Sequence, residues 1–200
     1  MEKERICNAL VSANVVRFGE FTLVSGEKSP IYIDLRILPS FVGPFNTITD
    51  ALVDKCREIK PAVIAGAETA GISLATAVAM KMQLPMVYVR KDKKDYGTKS
   101  LVEGVIQQND KVVLIDDLIT NGKSKLQFLE AIRRADGVVK DVSVILDREQ
   151  GGEEFMMKHN LNLHSLISLK DVLSYMLDKE RIGKAQYSSA LVYLSGMNRR

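Results

Sequence analysis

The chain has no apolar run approaching the length that spans a bilayer. Its first ten residues, MEKERICNAL, are charged and helical in pattern rather than a cleavable leader. It has only two cysteines, Cys7 and Cys56, far apart and without metal-ligand spacing. Buried free thiols in a reducing cytosol are therefore expected, not a disulfide framework or a thiolate metal centre. There is no internal repeat and no low-complexity segment. A formal net charge of +3 is too small to argue for nucleic-acid binding. What remains is 200 residues, 46% hydrophobic and 26% charged, which suits one soluble globular domain with room for a small appended hood.

Periodicity supplies the elements. Residues 2–16 carry Ile6, Leu10 and Ala13 at helical spacing. Residues 18–36 read as two short strands about a Ser-Gly-Glu-Lys-Ser-Pro turn. Pro39, Gly43 and Pro44 mark 37–44 as loop, and 45–59 as a helix stopped before Pro61. Strands follow at 62–67, 84–89, 112–115, 138–147 and within 159–168. Helices are expected at 71–82, 123–135 and 169–179, and a short helix or frayed end at 180–200. From residue 62 strand and helix alternate, which argues an α/β fold with a central parallel sheet flanked by helices. Ligands of such sheets bind beyond the carboxyl ends of the strands. Four polar motifs stand there: GAETAG (66–71), RKDKKDYGTK (90–99), DDLITNGKS (116–124) and DREQGG (147–152). They are expected to share one mouth.

The most informative of them is VVLIDDLITNGKS (112–124). A buried strand, a polar turn and a helix start make an anion site, because free N–H groups and the helix dipole both favour a phosphate. Asp116 and Asp117, adjacent at the strand end, would repel that phosphate unless they face hydroxyls or a metal. A sugar phosphate with free hydroxyls and bound Mg²⁺ satisfies both halves. The string lacks the P-loop spacing. A plain turn capped by Thr120 or Ser124 is the simpler reading, and the Thr-x-Gly after four apolar residues counts against it.

This string resembles the phosphoribosyl diphosphate (PRPP) signature of the type I phosphoribosyltransferases. The resemblance implies that family's fold, with a hood formed mainly by about residues 1–40. It implies a PRPP-binding segment of Asp116, Asp117, Leu118, Ile119, Thr120, Asn121, Gly122, Lys123 and Ser124. The acids would face the ribose 2- and 3-hydroxyls, and Thr120 to Ser124 would wrap the 5-phosphate. The basic run 90–104, in which five of the ten residues from Arg90 to Lys99 are Lys or Arg, reads as a mobile lid over a polyanion. It resembles the catalytic loop of the orotate phosphoribosyltransferases, above all the version in eukaryotic UMP synthases. Arg90 and Lys91 match the diphosphate-binding pair, Lys94 the catalytic lysine, and Tyr96 a PRPP-binding position. Arg148 matches the orotate-carboxylate ligand, a role its planar fork suits. Tyr32 matches a ring that packs on the base, and Thr120 also borders it.

The family commonly has Lys where this chain has Val24. Ala70 stands where some bacterial members have Lys, and His159 and His164 lie outside the motifs. The resemblance implies transfer of phosphoribose to orotate for pyrimidine synthesis, Mg²⁺ carried with PRPP, and a cytoplasmic homodimer sharing loop 90–104 between subunits. No nucleic-acid or membrane partner is expected. A phosphoribosyltransferase for another base and a PRPP-sensing regulator remain as alternatives.

Overall fold

The computed structural model describes residues 2–22, 26, 28–92 and 100–197. The first helix, α1 (Glu2–Ser12), buries Ile6, Cys7, Ala9 and Leu10, one stripe at helical spacing. A hairpin follows, β1 (Val16–Thr22) and β2 (Lys28–Ile33), which forms a two-stranded antiparallel sheet of its own. The stretch expected as loop at 37–44 is a 3-10 helix, Leu35–Ser40, leading into α2 (Val42–Ile59). Pro44 lies in the first turn of α2. A first-turn N–H has no intrahelical acceptor, so the missing proline N–H costs no bond and the helix begins before the proline rather than after it.

The main sheet is built from β3 (Val63–Ala67), β4 (Met86–Val89), β5 (Val102–Glu103), β6 (Lys111–Ile119), β7 (Val138–Asp147) and β8 (Asn162–Ser168). Their order is β5-β4-β3-β6-β7-β8. All neighbours are parallel except β4 and β5. The short antiparallel edge strand β5 falls inside the segment read as loop, because two paired residues are too few to leave a period in the sequence. The connecting helices are α3 (Ala70–Met82), α4 (Lys125–Arg134), α5 (Gly152–Lys158) and α6 (Leu169–Asp178). The tail forms a full helix, α7 (Lys184–Met197), with Ala190 and Leu194 buried. Its small residues hide the amphipathic pattern, and it packs against β2 and α6.

Alternation along the strands sorts side chains between two cores. Ile64, Val113, Ile115 and Ile145 join residues of α1, α2, α3 and α6. Val63, Ala65, Leu114, Val142 and Val144 join Phe128, Leu129 and Ile132 of α4 and Met156 of α5. The central sheet is thus covered on both faces, as the apolar runs of its strands require. Among the described residues no helix is long and apolar enough to cross a membrane.

Two features set the strand ends. The strand expected to stop at 115 continues to Ile119, because Asp116, Leu118 and Ile119 keep their register with Val144, Leu146 and Asp147 of β7. Helix α3 also approaches the sheet at glycines. A Cβ on Gly66 would lie 2.7 Å from the Gly71 oxygen, and one on Gly71 would collide with the Ile115 carbonyl oxygen. Gly71→Ala should therefore push α3 away from β6. The expected loss is about 1–3 kcal/mol of stability, read as a lower denaturant midpoint; an unchanged midpoint would show that the contact is slack.

Candidate active site

Parallel strands all present their carboxyl ends at one edge, and backbone contacts tie the four motifs together there. The Glu68 N–H donates to the Val89 oxygen at 3.0 Å. The Glu68 carboxylate accepts the Lys91 N–H at 2.7 Å. Gly71 lies against Ile115 and the Cα of Asp116. The Arg148 N–H donates to the Ile119 oxygen at 3.0 Å. A Cβ on Gly152 would come within 2.7 Å of the Thr120 oxygen. The expected common mouth is present.

The acid pair sits at its centre. Asp116 is 7% exposed, and both its carboxylate oxygens are engaged. Oδ1 accepts the Asp117 N–H at 2.8 Å, and Oδ2 takes the Nζ of Lys125, itself buried, in an ion pair. Asp117 is half-buried. Its Oδ1 accepts the Leu118 N–H at 2.7 Å. Burial pushes the Asp117 carboxyl up to about 6, and the neighbouring Asp116 charge adds to this; the Leu118 N–H and Lys125 oppose it.

The turn beyond the pair has the form of an anion cradle. Gly122 takes a φ of +79°, a conformation glycine adopts without strain. A Cβ there would also meet the Phe155 ring at 2.9 Å. The Asn121 side chain accepts the Lys123 N–H at 3.1 Å. No oxygen of the described residues accepts from the N–H of Gly122 or Ser124. Ser124 begins α4 without a side-chain cap, so the capped-turn reading does not hold. The N–H groups of Gly122 and Ser124 are therefore the ones available to a ligand, while those of Lys125 and Leu126 donate to the Gly122 and Lys123 oxygens.

Beside this turn, Arg148 and Gln150 follow β7. Arg148 Nε and Gln150 Nε2 are buried and have no hydrogen-bond partner among the described residues. Asp147, also buried, accepts the Glu149 N–H at 2.8 Å, and burial raises its carboxyl. The Arg90 guanidinium lies 3.8 Å from the Glu103 carboxylate. Tyr32 belongs to the hairpin: its ring is 5.3 Å from that of Phe21, and its hydroxyl accepts from Arg36 at 2.9 Å. Val24, Lys94 and Tyr96 lie outside the described residues. His164 is at the opposite edge, with Nε2 2.9 Å from Asp141 Oδ1. It lines a hollow of about 560 Å³ with Lys111 and Asn162.

Reading the sequence missed two residues that shape this mouth. Glu68 had no distinguishing pattern. Lys125 did: Lys125, Phe128, Leu129 and Ile132 share the buried stripe of α4, at i, i+3, i+4 and i+7. A lysine in an apolar stripe, nine residues after an aspartate, signals a buried counter-charge.

Comparison with known proteins agrees with this geometry. The family described as phosphoribosyl transferase domain matches residues 45–161. The chain is 37% identical over 188 residues to uridine 5'-monophosphate synthase of Caenorhabditis elegans, covering 92% of this chain and 38% of that protein. It is 35% identical to orotate phosphoribosyltransferase of Methanocaldococcus jannaschii, covering 86% of this chain and 98% of the relative. The UMP synthase of Leishmania donovani superposes with a TM-score of 0.87 at 31% identity, over 97% of this chain and 42% of that one. The chain thus spans about two-fifths of the UMP synthases and nearly all of the archaeal relative. By its sequence, its sheet and the strand ends that carry its motifs, the chain belongs to the phosphoribosyl transferase family and, within it, to the orotate phosphoribosyltransferases.

Proposed function

We propose that in this orotate phosphoribosyltransferase PRPP lies along the carboxyl edge of β6. Its 5-phosphate sits in the Thr120–Ser124 turn and its ribose against Asp116 and Asp117. Its diphosphate points towards Arg90, Lys91 and Lys94, with Tyr96 alongside. The observation that carries this reading is the junction at one strand end of open N–H groups and an acid pair, one member buried and the other half-buried. Anion and polyol need opposite surroundings, and this junction supplies both.

Orotate then approaches the ribose from the side of Arg148, Thr120 and Tyr32. The Arg148 guanidinium is the group to meet its carboxylate: buried donors without partners are costly, and a substrate carboxylate satisfies them. A bond forms from a ring nitrogen of the base to the ribose carbon as the carbon–oxygen bond to diphosphate breaks, and the proton of that nitrogen passes to solvent or to the departing diphosphate. Positive charge builds on the sugar and negative charge leaves with diphosphate. Asp117 stabilises the first through the ribose hydroxyls, and the cations of 90–94 stabilise the second. The donors at this edge include carboxylate oxygens, which suit a hard cation such as Mg²⁺ arriving with PRPP; when bound, it would neutralise diphosphate charge.

The family supports a homodimer in which segment 90–104 reaches the partner's site. The buried free thiols Cys7 and Cys56, pushed by burial up to about 11 and about 12, suit a reducing cytoplasm. Consumption of orotate with PRPP and Mg²⁺, followed by absorbance, tests the reading; no consumption would refute it.

Replacing Arg148 with alanine should raise the orotate KM about ten- to a hundredfold while the PRPP KM moves little. Equal changes in both would argue against a carboxylate contact. The acid pair has a pH signature without ligand. A carboxyl raised by folding favours the folded state below its unfolded value of 3.8 and loses that contribution as pH rises through about 6. Asp117→Asn should therefore be the more stable protein at pH 8, on the order of 1–3 kcal/mol, and lose that advantage near pH 4. Denaturant titrations of both proteins at the two pH values decide it; a gap independent of pH would show that Asp117 is not raised.

A further inference from the structure

We propose that the two acids divide their work, with Lys125 as a positioning residue that commits Asp116 to the protein and leaves Asp117 to meet the sugar. This rests on the PRPP reading above and deepens it.

Lys125 occupies the first turn of α4, where a cation opposes the helix dipole. Its side chain is 7% exposed, where a lone ammonium is disfavoured. Both penalties need a nearby anion, and the described structure provides Asp116. The ion pair closes Oδ2 of Asp116, and the Asp117 N–H closes Oδ1. Asp116 is also nearly out of reach of solvent. A ribose hydroxyl would have to displace one of these two partners to reach it. Asp117 lies against the Asp116 carboxylate, but the one N–H that it takes among the described residues is that of Leu118, on Oδ1, and it is the more exposed of the two acids. No N–H of the described residues donates to its Oδ2, which leaves that oxygen for a hydroxyl.

The arrangement also accounts for two carboxylates beside an anionic ligand. Paired with Lys125, Asp116 adds little net charge to the mouth. The same ammonium draws the Asp117 carboxyl down against the burial that raises it. Lys125 thereby holds Asp117 nearer its charged form, the form that accepts two hydroxyl hydrogens. Its influence on the sugar is indirect, through the position of one acid and the charge of the other.

Four proteins test this: wild type, Lys125→Met, Lys125→Met with Asp116→Asn, and Asp117→Asn. PRPP binding is measured by calorimetry with Mg²⁺, and both KM values by kinetics, well below each unfolding midpoint. Lys125→Met should raise the PRPP KM about tenfold and leave the orotate KM within about threefold. Adding Asp116→Asn removes the stranded charge and should restore most of the PRPP affinity. Asp117→Asn should weaken PRPP by about thirtyfold or more, the scale of a hydrogen bond to a charged group. If Lys125→Met does not fold, the comparison of the charge-neutral double variant with Asp117→Asn carries the test alone. A folded double variant that loses as much PRPP affinity as Asp117→Asn would overturn the division of roles, because Asp116 would then meet the sugar itself. Retention of full PRPP affinity by Asp117→Asn would instead overturn the PRPP reading, and this proposal with it.

Discussion

The site depends on charge held where water is scarce. Asp116 and Lys125 lie at the end of the central strand, nearly out of solvent, and each is tenable only because of the other. Their pair joins β6 to the start of α4 across the turn between them. That fixes the direction of the helix N-terminus and the shape of residues 120–124. Without it, α4 would have no polar tether at its first turn, and the strand's last residues would carry an unpaired buried charge. The close seat of Gly71 on Ile115 holds the other side of the same strand end. β6 is therefore pinned on both flanks where the chemistry is proposed to take place.

In the proposed binding mode the same constraint lets one edge serve opposite needs. A phosphate wants N–H groups and positive potential; a ribose wants acceptors. The turn supplies the first through Gly122, whose φ of +79° leaves its N–H and that of Ser124 without acceptors among the described residues. The acids would supply the second, with Lys125 limiting the negative charge that a bound phosphate would meet. The partnerless donors of Arg148 and Gln150 lie on the adjacent turn, where a substrate carboxylate would find them. Each group is set by a strand end, and a parallel sheet puts those ends together.

Much of this was legible in the sequence. The apolar runs at 62–67, 112–115 and 138–147 mark buried parallel strands, and the sheet contains them. The motifs at their ends were read in the right order and meet at one edge. The failures have physical causes. Asp116 and Asp117 look like the end of a strand because charge normally stops burial, yet Lys125 lets the strand continue to Ile119. Pro44 looks like part of a loop before the helix, but in a first turn it costs no hydrogen bond. Lys125 itself drew no reading within the helix expected at 123–135, although its place in the buried stripe with Phe128, Leu129 and Ile132 carried the signal. β5 and α5 are short and owe their form to the strands beside them, so no local period announces them.

The most direct test of the central claim is a crystal structure of the protein with PRPP and Mg²⁺ bound. The account predicts the 5-phosphate oxygens about 3 Å from backbone nitrogens of residues 120–124, with a ribose hydroxyl on Asp117 and the Asp116–Lys125 pair intact. A phosphate seated elsewhere, or a ribose turned away from both acids, would contradict it.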